Sequence, residues 1–245
     1  EIWPRDWSSD VCSSDLLLPF VLSLAVMSAP AVNVGDITIS SVTERYQQDS
    51  VDFTGYYPQF SGIADRDAQK ELNVLMREKA QSALIRAKTA GMGLISVEGQ
   101  PQRSAEGLYG YEVKRNDGGV VSLLFTDGLY AGGANGSEKK SALTFSSSNG
   151  DVYNLEGLFL DGAACYGAIN AEIHRQLLER GLEPELLQPF EGIDANEVFY
   201  VTDTDLVIVF QEITYFPHSM GSVEFAIPLS QLEACLKPEI TSVIS

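Results

Sequence analysis

The chain has 245 residues, and its 34 acidic residues outnumber its 16 lysines and arginines, giving a formal net charge of -18. Hydrophobic residues make up 44% of the chain, which suffices to enclose one large core or two small ones. A surface this acidic repels nucleic acid and anionic lipid, which are bound through clustered lysine and arginine, and it favours encounter with a basic protein.

The first 31 residues are predicted to lie outside the folded domain. Residues 1–15 (EIWPRDWSSDVCSSD) resemble translated adapter sequence and lack the basic stretch of a signal peptide. Residues 16–31 combine an apolar run with Ala29-Pro30-Ala31, which is typical of a secretory signal cleaved near Ala31. The run is shorter than the roughly 20 apolar residues of a membrane helix. We therefore expect an extracytoplasmic bacterial protein, secreted or at the cell surface, that meets a membrane only through an uncleaved signal segment.

The first part of the domain is predicted to hold two strands and a long helix. Residues 37–40 alternate apolar and polar side chains, and residues 51–60 form a second extended segment. The helix is indicated by apolar residues at spacings of three and four, namely Ala68, Leu72, Met76, Ala80, Ala83 and Ala87. Asp65 or Asp67 can cap its start, and Gly91 suits its end.

Residues 107–155 are typical of β-structure. Residues 109–113 alternate, and Asn116-Asp117-Gly118-Gly119 predicts a hairpin turn, because asparagine and glycine tolerate positive φ. Residues 120–125 return as a buried strand. Leu143 and Phe145 mark another strand, which a turn at Asn149-Gly150 connects to a short partner at residues 153–155.

A second helix is predicted over residues 163–180, with Cys165 on its buried stripe and Gly181 closing it. A hairpin follows, with strands at residues 198–201 and 206–210, and residues 223–227 form the last strand. Ser230 and Glu233 have the spacing of a capping box, which predicts a short helix carrying Cys235.

These elements predict an α+β fold in which an antiparallel sheet is packed by two main helices plus a short C-terminal helix. The absence of a repeat or linker favours one compact unit over residues 37–236, with an N-terminal part at 37–100 and a C-terminal part at 105–236. Residues 237–245 are predicted to form a tail.

Sequence motifs for catalysis are missing. The chain has two histidines, His174 and His218, and lacks a histidine pair, a CxxC and a GxSxG. We therefore predict no catalytic residue, no metal site and no cofactor, and a protein that is not an enzyme. Two alternatives stay open: a hydrolase that modifies peptidoglycan through acidic residues, whose site would be a cleft with two carboxylates, and a purely structural envelope domain.

Two loops are the candidate binding surfaces. The glycine-rich segment 130–137 lacks the Gly-Lys-Ser/Thr ending of a phosphate loop. It is either a flexible strand connection or a recognition loop whose backbone can approach a ligand closely. The second loop spans residues 216–221. The candidate ligand-binding residues in the two loops are Tyr130, Gly132, Gly133, Asn135, Phe216, His218 and Met220.

Two cysteines, Cys165 and Cys235, remain once the N-terminal segment with Cys12 is set aside. In an oxidising exported setting they can form one disulfide. The alternative is two separate buried thiols, because cysteine packs as a small hydrophobe.

The order of several motifs resembles the RsiV-like extracellular domain family, best known from the lysozyme-binding ectodomain of an anti-sigma factor. The resemblance covers roughly residues 37–236. Its carriers are Tyr57-Pro58 before the long helix, the Tyr-x-Gly-Gly-Ala loop at 130–134, Asn149-Gly150 followed by Leu155-x-x-Leu158-Phe159, and the closing pattern Tyr215 to Gly221, Val223-Glu224-Phe225, Ile227-Pro228 and Leu232.

This resemblance implies an α+β domain of the bacterial envelope that binds or senses a ligand, with lysozyme, another basic protein or peptidoglycan as the partner. The same module also occurs beside peptidoglycan deacetylase domains. The chain departs from the pattern at Asn135, where the family usually has histidine. No cytoplasmic anti-sigma segment precedes the signal segment, so this chain is not expected to hold a sigma factor itself.

Overall fold

The computed structural model describes residues 33–48, 50–94, 104–133, 135–161 and 165–241, so the predicted adapter-like and signal segments lie outside the described residues. The α+β class is confirmed, and the strands form a seven-stranded and a three-stranded sheet. The elements in chain order are β1 Asn33–Val34, β2 Thr38–Gln48, β3 Val51–Ser61, α1 Arg66–Met92, β4 Ala105–Asp117, β5 Val120–Tyr130, β6 Ser137–Ser146, β7 Val152–Tyr153, α2 Tyr166–Glu179, β8 Val198–Val201, β9 Asp205–Phe210, β10 Val223–Pro228, α3 Leu229–Leu232 and α4 Pro238–Thr241.

The large sheet contains β1 to β7 in sequence order, and β10-β9-β8 form the small one. All pairs are antiparallel except β3 with β4, which run parallel. The predicted antiparallel sheet is thus present as two mainly antiparallel sheets, with one parallel pair of strands. The long helix α1 lies between β3 and β4 in the chain, and a parallel pair needs such a crossover of a dozen residues or more. The β3–β4 pair also crosses the predicted division between residues 100 and 105.

Helix α1 follows its sequence pattern closely. The Asp65 carboxylate accepts hydrogen bonds from the backbone N–H groups of Asp67 and Ala68, which confirms the predicted cap. Its end was predicted wrongly: the helix continues through Gly91 to Met92, and Gly93 is the C-cap residue. Gly91 is buried inside the last turn, where any β-carbon would collide with Val51. The glycine therefore serves close packing of α1 on β3.

The two sheets and two long helices stack in four layers. Helix α1 covers one face of the large sheet and shares its core with residues such as Phe53, Phe125 and Phe145. The opposite face packs on the small sheet through Leu124, Tyr200, Val207 and Val209. The far side of the small sheet, including Ile208 and Phe225, forms a second core with α2. The inner strands β5 and β9 are thus covered on both faces, which explains their near-continuous apolar sequences.

Local turn chemistry behaves as predicted at two places. Gly118 and Gly119 have φ of 58° and 87° in the β4–β5 turn, which suits a two-residue hairpin with positive φ at both positions. Gly181, at φ 63°, follows the end of α2, where its N–H bonds the Leu178 carbonyl and the Leu182 N–H bonds the Leu177 carbonyl. That pair of bonds is the Schellman motif and confirms the predicted stop.

The C-terminal segment differs from its prediction in one respect. Helix α3 begins after Pro228 and has no side-chain cap bond, so the expected capping box of Ser230 and Glu233 is wrong. Since α3 is a single turn, Cys235 lies just after it rather than on it. The pairing of Cys165 with Cys235 is present as a disulfide across 70 residues. It connects the start of α2 to the chain beyond the small sheet.

Candidate functional site

The glycine-rich loop connects β5 to β6 at one end of the large sheet. Gly132 has φ 75°, a conformation that favours glycine. The Tyr130 hydroxyl donates to the Gly133 carbonyl over 3.0 Å, so this tyrosine folds back on the loop that follows it. Gly133 and Asn135 are exposed, whereas Gly136 is buried at the start of β6.

Glu212 connects this loop with the second predicted loop. One carboxylate oxygen of Glu212 accepts a hydrogen bond from the backbone N–H of Glu138, the second residue of β6, at 2.9 Å. The other lies 2.9 Å from His218 Nδ1. Only 10% of the Glu212 side chain is exposed. The start of β6, directly after the first candidate loop, and the second candidate loop therefore meet at one largely buried carboxylate.

Gln211 strengthens the same junction. Its amide accepts the Lys140 backbone N–H at 2.9 Å and donates to the Lys140 carbonyl at 3.0 Å. β7 pairs only with the far end of β6, at Thr144 and Phe145, so the near end of β6 is a sheet edge. Gln211 and Glu212 satisfy the backbone groups of that edge, which protects it from pairing with another chain.

Ile213 occupies a strained backbone position next to this junction. It has φ 63°, the single positive φ of a non-glycine among the described residues, and its side chain is 66% exposed. The Thr214 N–H bonds the Gln211 carbonyl at 3.3 Å, so Ile213 stands at the third position of a tight turn, which usually holds glycine. A β-branched residue at positive φ costs about 1–3 kcal/mol. Such strain makes Ile213 a candidate functional position.

The structure places the other second-loop candidates differently. Phe216 is fully buried and packs on Phe210 and Phe225, so its predicted surface role is wrong: the aromatic core claims the ring. Met220 packs against the same core and is half-buried. His218 is also half-buried. The remaining candidates, Tyr130, Gly132, Gly133, Asn135, His218 and Met220, stay predictions.

A groove of about 450 Å³ lies beside the Ile213 turn. Leu187 lines the groove, and its N–H bonds the carbonyl of Tyr215, the residue after the turn, at 2.8 Å. Its side chain is 56% exposed. The groove is lined by His174, Leu177, Glu183, Leu186, Leu187, Gln188, Pro189 and Phe190. We call the groove together with Ile213 and Thr214 the Ile213 face.

Carboxylates lie near Tyr215, which follows Thr214 at the edge of this face. Burial raises the pKa of Tyr215, and the charges of Glu197, Asp194 and Glu191 raise it further, which places all three acids near that ring. Burial, with a smaller contribution from Asp194, raises the pKa of Glu197 to about 7. The arrangement is an apolar, partly concave surface with an acidic border, which suits a cationic ligand with apolar side chains.

The raised pKa of Glu197 has a measurable consequence. When folding raises the pKa of a carboxyl, the group contributes its full stability at a pH below its pKa in the unfolded chain, near 4.5. That contribution is lost as the pH rises through the folded-state pKa of about 7. Glu197→Gln keeps the group neutral at all pH values. We expect the variant and the wild type to have about the same free energy of unfolding at about pH 4.5. At about pH 8 the free energy of unfolding of the variant should be higher by about 1 kcal/mol, a value discounted for solvent screening. Urea denaturation at both pH values measures this difference, and an equal difference at both would contradict it.

The described ranges contain neither a metal-binding cluster nor a membrane-spanning helix. There, no group of three or more His, Cys, Asp or Glu is arranged to hold a metal ion. Over the same part of the chain, no helix has both the length and the apolar character needed to cross a membrane.

Sequence reasoning missed Glu212, Ile213 and Leu187. The two exposed apolar residues carry no motif, since isolated surface leucines and isoleucines are common. Glu212 lies directly after a buried apolar strand, as an ordinary strand-ending polar residue would. The pair Gln211-Glu212 gives a weak sequence indication, because polar side chains between a core strand and an aromatic loop can form hydrogen bonds to the backbone of a neighbouring strand.

Comparison with known protein families gives two matches, each to one part of the chain. Residues 44–138 match the family model described as "Deacetylase PdaC". Residues 156–230 match the model described as "Protein of unknown function (DUF3298)". No curated protein sequence matches the chain significantly.

Two solved structures share the fold. A member of the DUF3298 family from Bacteroides fragilis NCTC 9343 superposes with a TM-score of 0.61 at 15% identity, over 87% of this chain and 98% of the other. A DUF3298 family protein from Pseudomonas aeruginosa PAO1 gives 0.53 at 13% identity, over 87% and 97%. The chain is thus similar to DUF3298 proteins in fold, and the narrower resemblance to RsiV-like domains stays a prediction.

Proposed function

We propose that this protein is an extracytoplasmic binding module of the bacterial envelope, not an enzyme, and that it captures a basic protein through the Ile213 face. The main support for this proposal is Ile213, whose β-branched side chain is exposed and whose backbone has φ 63°. Glycine at this position would relieve the backbone strain, so the turn itself does not require isoleucine. A side chain retained at a cost to stability is best explained by a contact with a partner.

The chemistry of the surroundings selects the partner. Apolar Leu187 and Ile213 supply contact area, and the carboxylates around Tyr215 attract positive charge. The formal net charge of -18 speeds encounter with any cationic protein. Lysozyme, which the resemblance to RsiV-like domains suggests, has this chemistry and is the first partner to test. The disulfide and the signal-like residues 16–31 support an exported location.

Replacing Ile213 with glycine separates stability from binding. Ile213→Gly removes the backbone strain, so we expect the free energy of unfolding to rise by about 1 kcal/mol after the greater flexibility of glycine in the unfolded chain is subtracted. The same change removes a central apolar contact, so the affinity for lysozyme should fall by about tenfold or more. Urea denaturation and surface plasmon resonance at about 50 mM and about 500 mM salt measure the two effects.

Ile85→Ala is the matched control, because Ile85 is 62% exposed and lies on α1, away from the Ile213 face. It should leave lysozyme binding unchanged. Wild-type binding should weaken strongly at the higher salt concentration, since opposite charges bring the two proteins together. Equal affinity of the wild type and Ile213→Gly, or no lysozyme binding at low salt, would overturn the proposal.

A second candidate function is a hydrolase acting on peptidoglycan. It is favoured by Glu197, whose pKa of about 7 suits a general acid or base and which lies near Asp194. The segment similar to the deacetylase model, residues 44–138, does not include either acid. Turnover of peptidoglycan fragments that disappears in Glu197→Gln and Asp194→Asn would favour this function over capture of a basic protein.

A further inference from the structure

Helix α1 crosses the large sheet diagonally and leaves part of it open. Near its start, Ala68 packs against Gly150 beyond the end of β6, and towards its end Ala87 packs against Gly107 on β4. The helix therefore moves away from the first half of β6. Exposure along β6 on the α1 side follows this path: residues 143 and 145 are buried, residue 141 is half-buried and residue 139 is exposed. We call this uncovered strip of the sheet, between α1 and the first half of β6, the cleft.

Polar side chains line the cleft on its sheet side. Tyr109, Asp127 and Lys139 are direct cross-strand neighbours on β4, β5 and β6. Side chains directly opposite one another on adjacent strands point to the same face of a sheet. Tyr109 belongs to the core under α1, so all three face the helix.

The helix adds two cations. Lys79 and Arg86 are seven residues apart, about two turns, and so lie on one side of α1. Arg86 forms an ion pair with Asp127 that spans from helix to sheet. Burial lowers the pKa of Lys79, and the charge of nearby Lys139 lowers it further. In the part of the chain that the structure describes, neither lysine has an ion-pair partner.

Tyr109 contributes an unused donor. Its side chain is 3% exposed, and its hydroxyl has no hydrogen-bond partner among the described residues. Burial raises the pKa of Tyr109 far above its usual range, while the charge of Arg86 acts to lower it. The hydroxyl therefore stays protonated, close to Arg86. A buried hydroxyl without a partner is unfavourable, and a ligand oxygen would supply the missing acceptor.

We propose that the cleft between α1 and β6 is a binding site for an anionic group, a carboxylate or a phosphate, which accepts a hydrogen bond from Tyr109 and lies between Lys79, Arg86 and Lys139. Three cations against the single carboxylate of Asp127 make the cleft positive in a protein of net charge -18. An anion between the two lysines removes their mutual repulsion and stabilises both charges. This site lies on the α1 side of the large sheet, apart from the Ile213 face.

The ligand chemistry occurs in two kinds of envelope polymer, which the test separates. A glycerol phosphate oligomer presents phosphates, and a peptidoglycan disaccharide-tetrapeptide presents carboxylates. Each is titrated into the full chain by isothermal titration calorimetry, with glycerol and an uncharged peptide amide as blanks. We expect saturable binding of one of the two, and binding of neither would overturn the proposal.

Three variants test the residues. Lys79→Ala and Lys139→Ala should each weaken binding about tenfold, the size of one lost charge-assisted hydrogen bond. Tyr109→Phe keeps the ring packed on Phe125, and should weaken binding several-fold without lowering stability. Lys88→Ala is the control, because it removes the same charge from the other side of α1, where Lys88 lies over the Tyr46 ring. If all four variants bind as the wild type does, the site is not there.

The two binding proposals fail independently. The three cleft variants should retain lysozyme binding, and Ile213→Gly should retain binding of the anionic polymer. A cleft variant that unfolds at lower urea concentration and binds neither lysozyme nor the anionic polymer would indicate misfolding. In that case Tyr109→Phe, which preserves packing, decides whether the cleft binds the anion.

Discussion

Removal of the disulfide is expected to lower the free energy of unfolding by about 3–4 kcal/mol. The bond joins Cys165 to Cys235 across 70 residues. Opening a loop of that length releases conformational entropy in the unfolded chain, which is the main source of the stabilisation in the chain-entropy description. The loop contains α2 and the whole small sheet, so the C-terminal core depends on it most.

Urea denaturation with and without a reductant measures this effect. A Cys12→Ser background excludes exchange with the third thiol. The double variant Cys165→Ala with Cys235→Ala should show the reduced stability in both buffers, while the parent shows it only in reductant. A parent protein that loses less than about 1 kcal/mol on reduction would contradict the prediction.

Glu212→Ala is expected to cost about 2–3 kcal/mol of stability. The substitution leaves the Glu138 N–H without its acceptor and His218 without its partner, and an unsatisfied buried donor costs about 1–3 kcal/mol. It also removes one of the two side chains that protect the edge of β6. Glu212→Gln keeps an acceptor for Glu138 and should cost less.

Hydrogen exchange gives this prediction a local readout. In Glu212→Ala the Glu138 amide should lose protection, because its hydrogen bond is gone. The Lys140 amide two residues further on should keep its protection, because Gln211 still accepts its bond. Unchanged exchange at Glu138 would show that the junction does not depend on this carboxylate. Weaker lysozyme binding in the same variant would connect the junction to the Ile213 face.

Features that depend on neighbouring residues in the chain were predictable. The stripe on α1, the Asp65 cap, the positive-φ glycines of the β4–β5 turn and Gly181 after α2 all follow from local geometry. Each is specified within a few residues, so no knowledge of the rest of the fold is needed. Helix ends were less predictable: Gly91 was expected to stop α1 but packs inside it.

The binding surface was predictable only in part. Both candidate loops were identified from their composition, but Phe216 was assigned to the surface although the core buries it. An aromatic residue in a loop has the same sequence signature whether it points inwards or outwards. Ile213 stands out by its positive φ, and Glu212 by its hydrogen bonds to Glu138 and His218. Neither feature has a local sequence pattern.

By itself, the sequence determined the α+β class, the two long helices, most strand positions and which two cysteines were available to pair, because periodicity records which side of each segment is buried. Only the tertiary structure decided that β3 pairs parallel with β4, that three strands separate into a second sheet, and that the start of β6 and the second candidate loop meet at Glu212. Those outcomes depend on which distant segments satisfy one another's hydrogen bonds and apolar faces, and many partners fit the same local pattern.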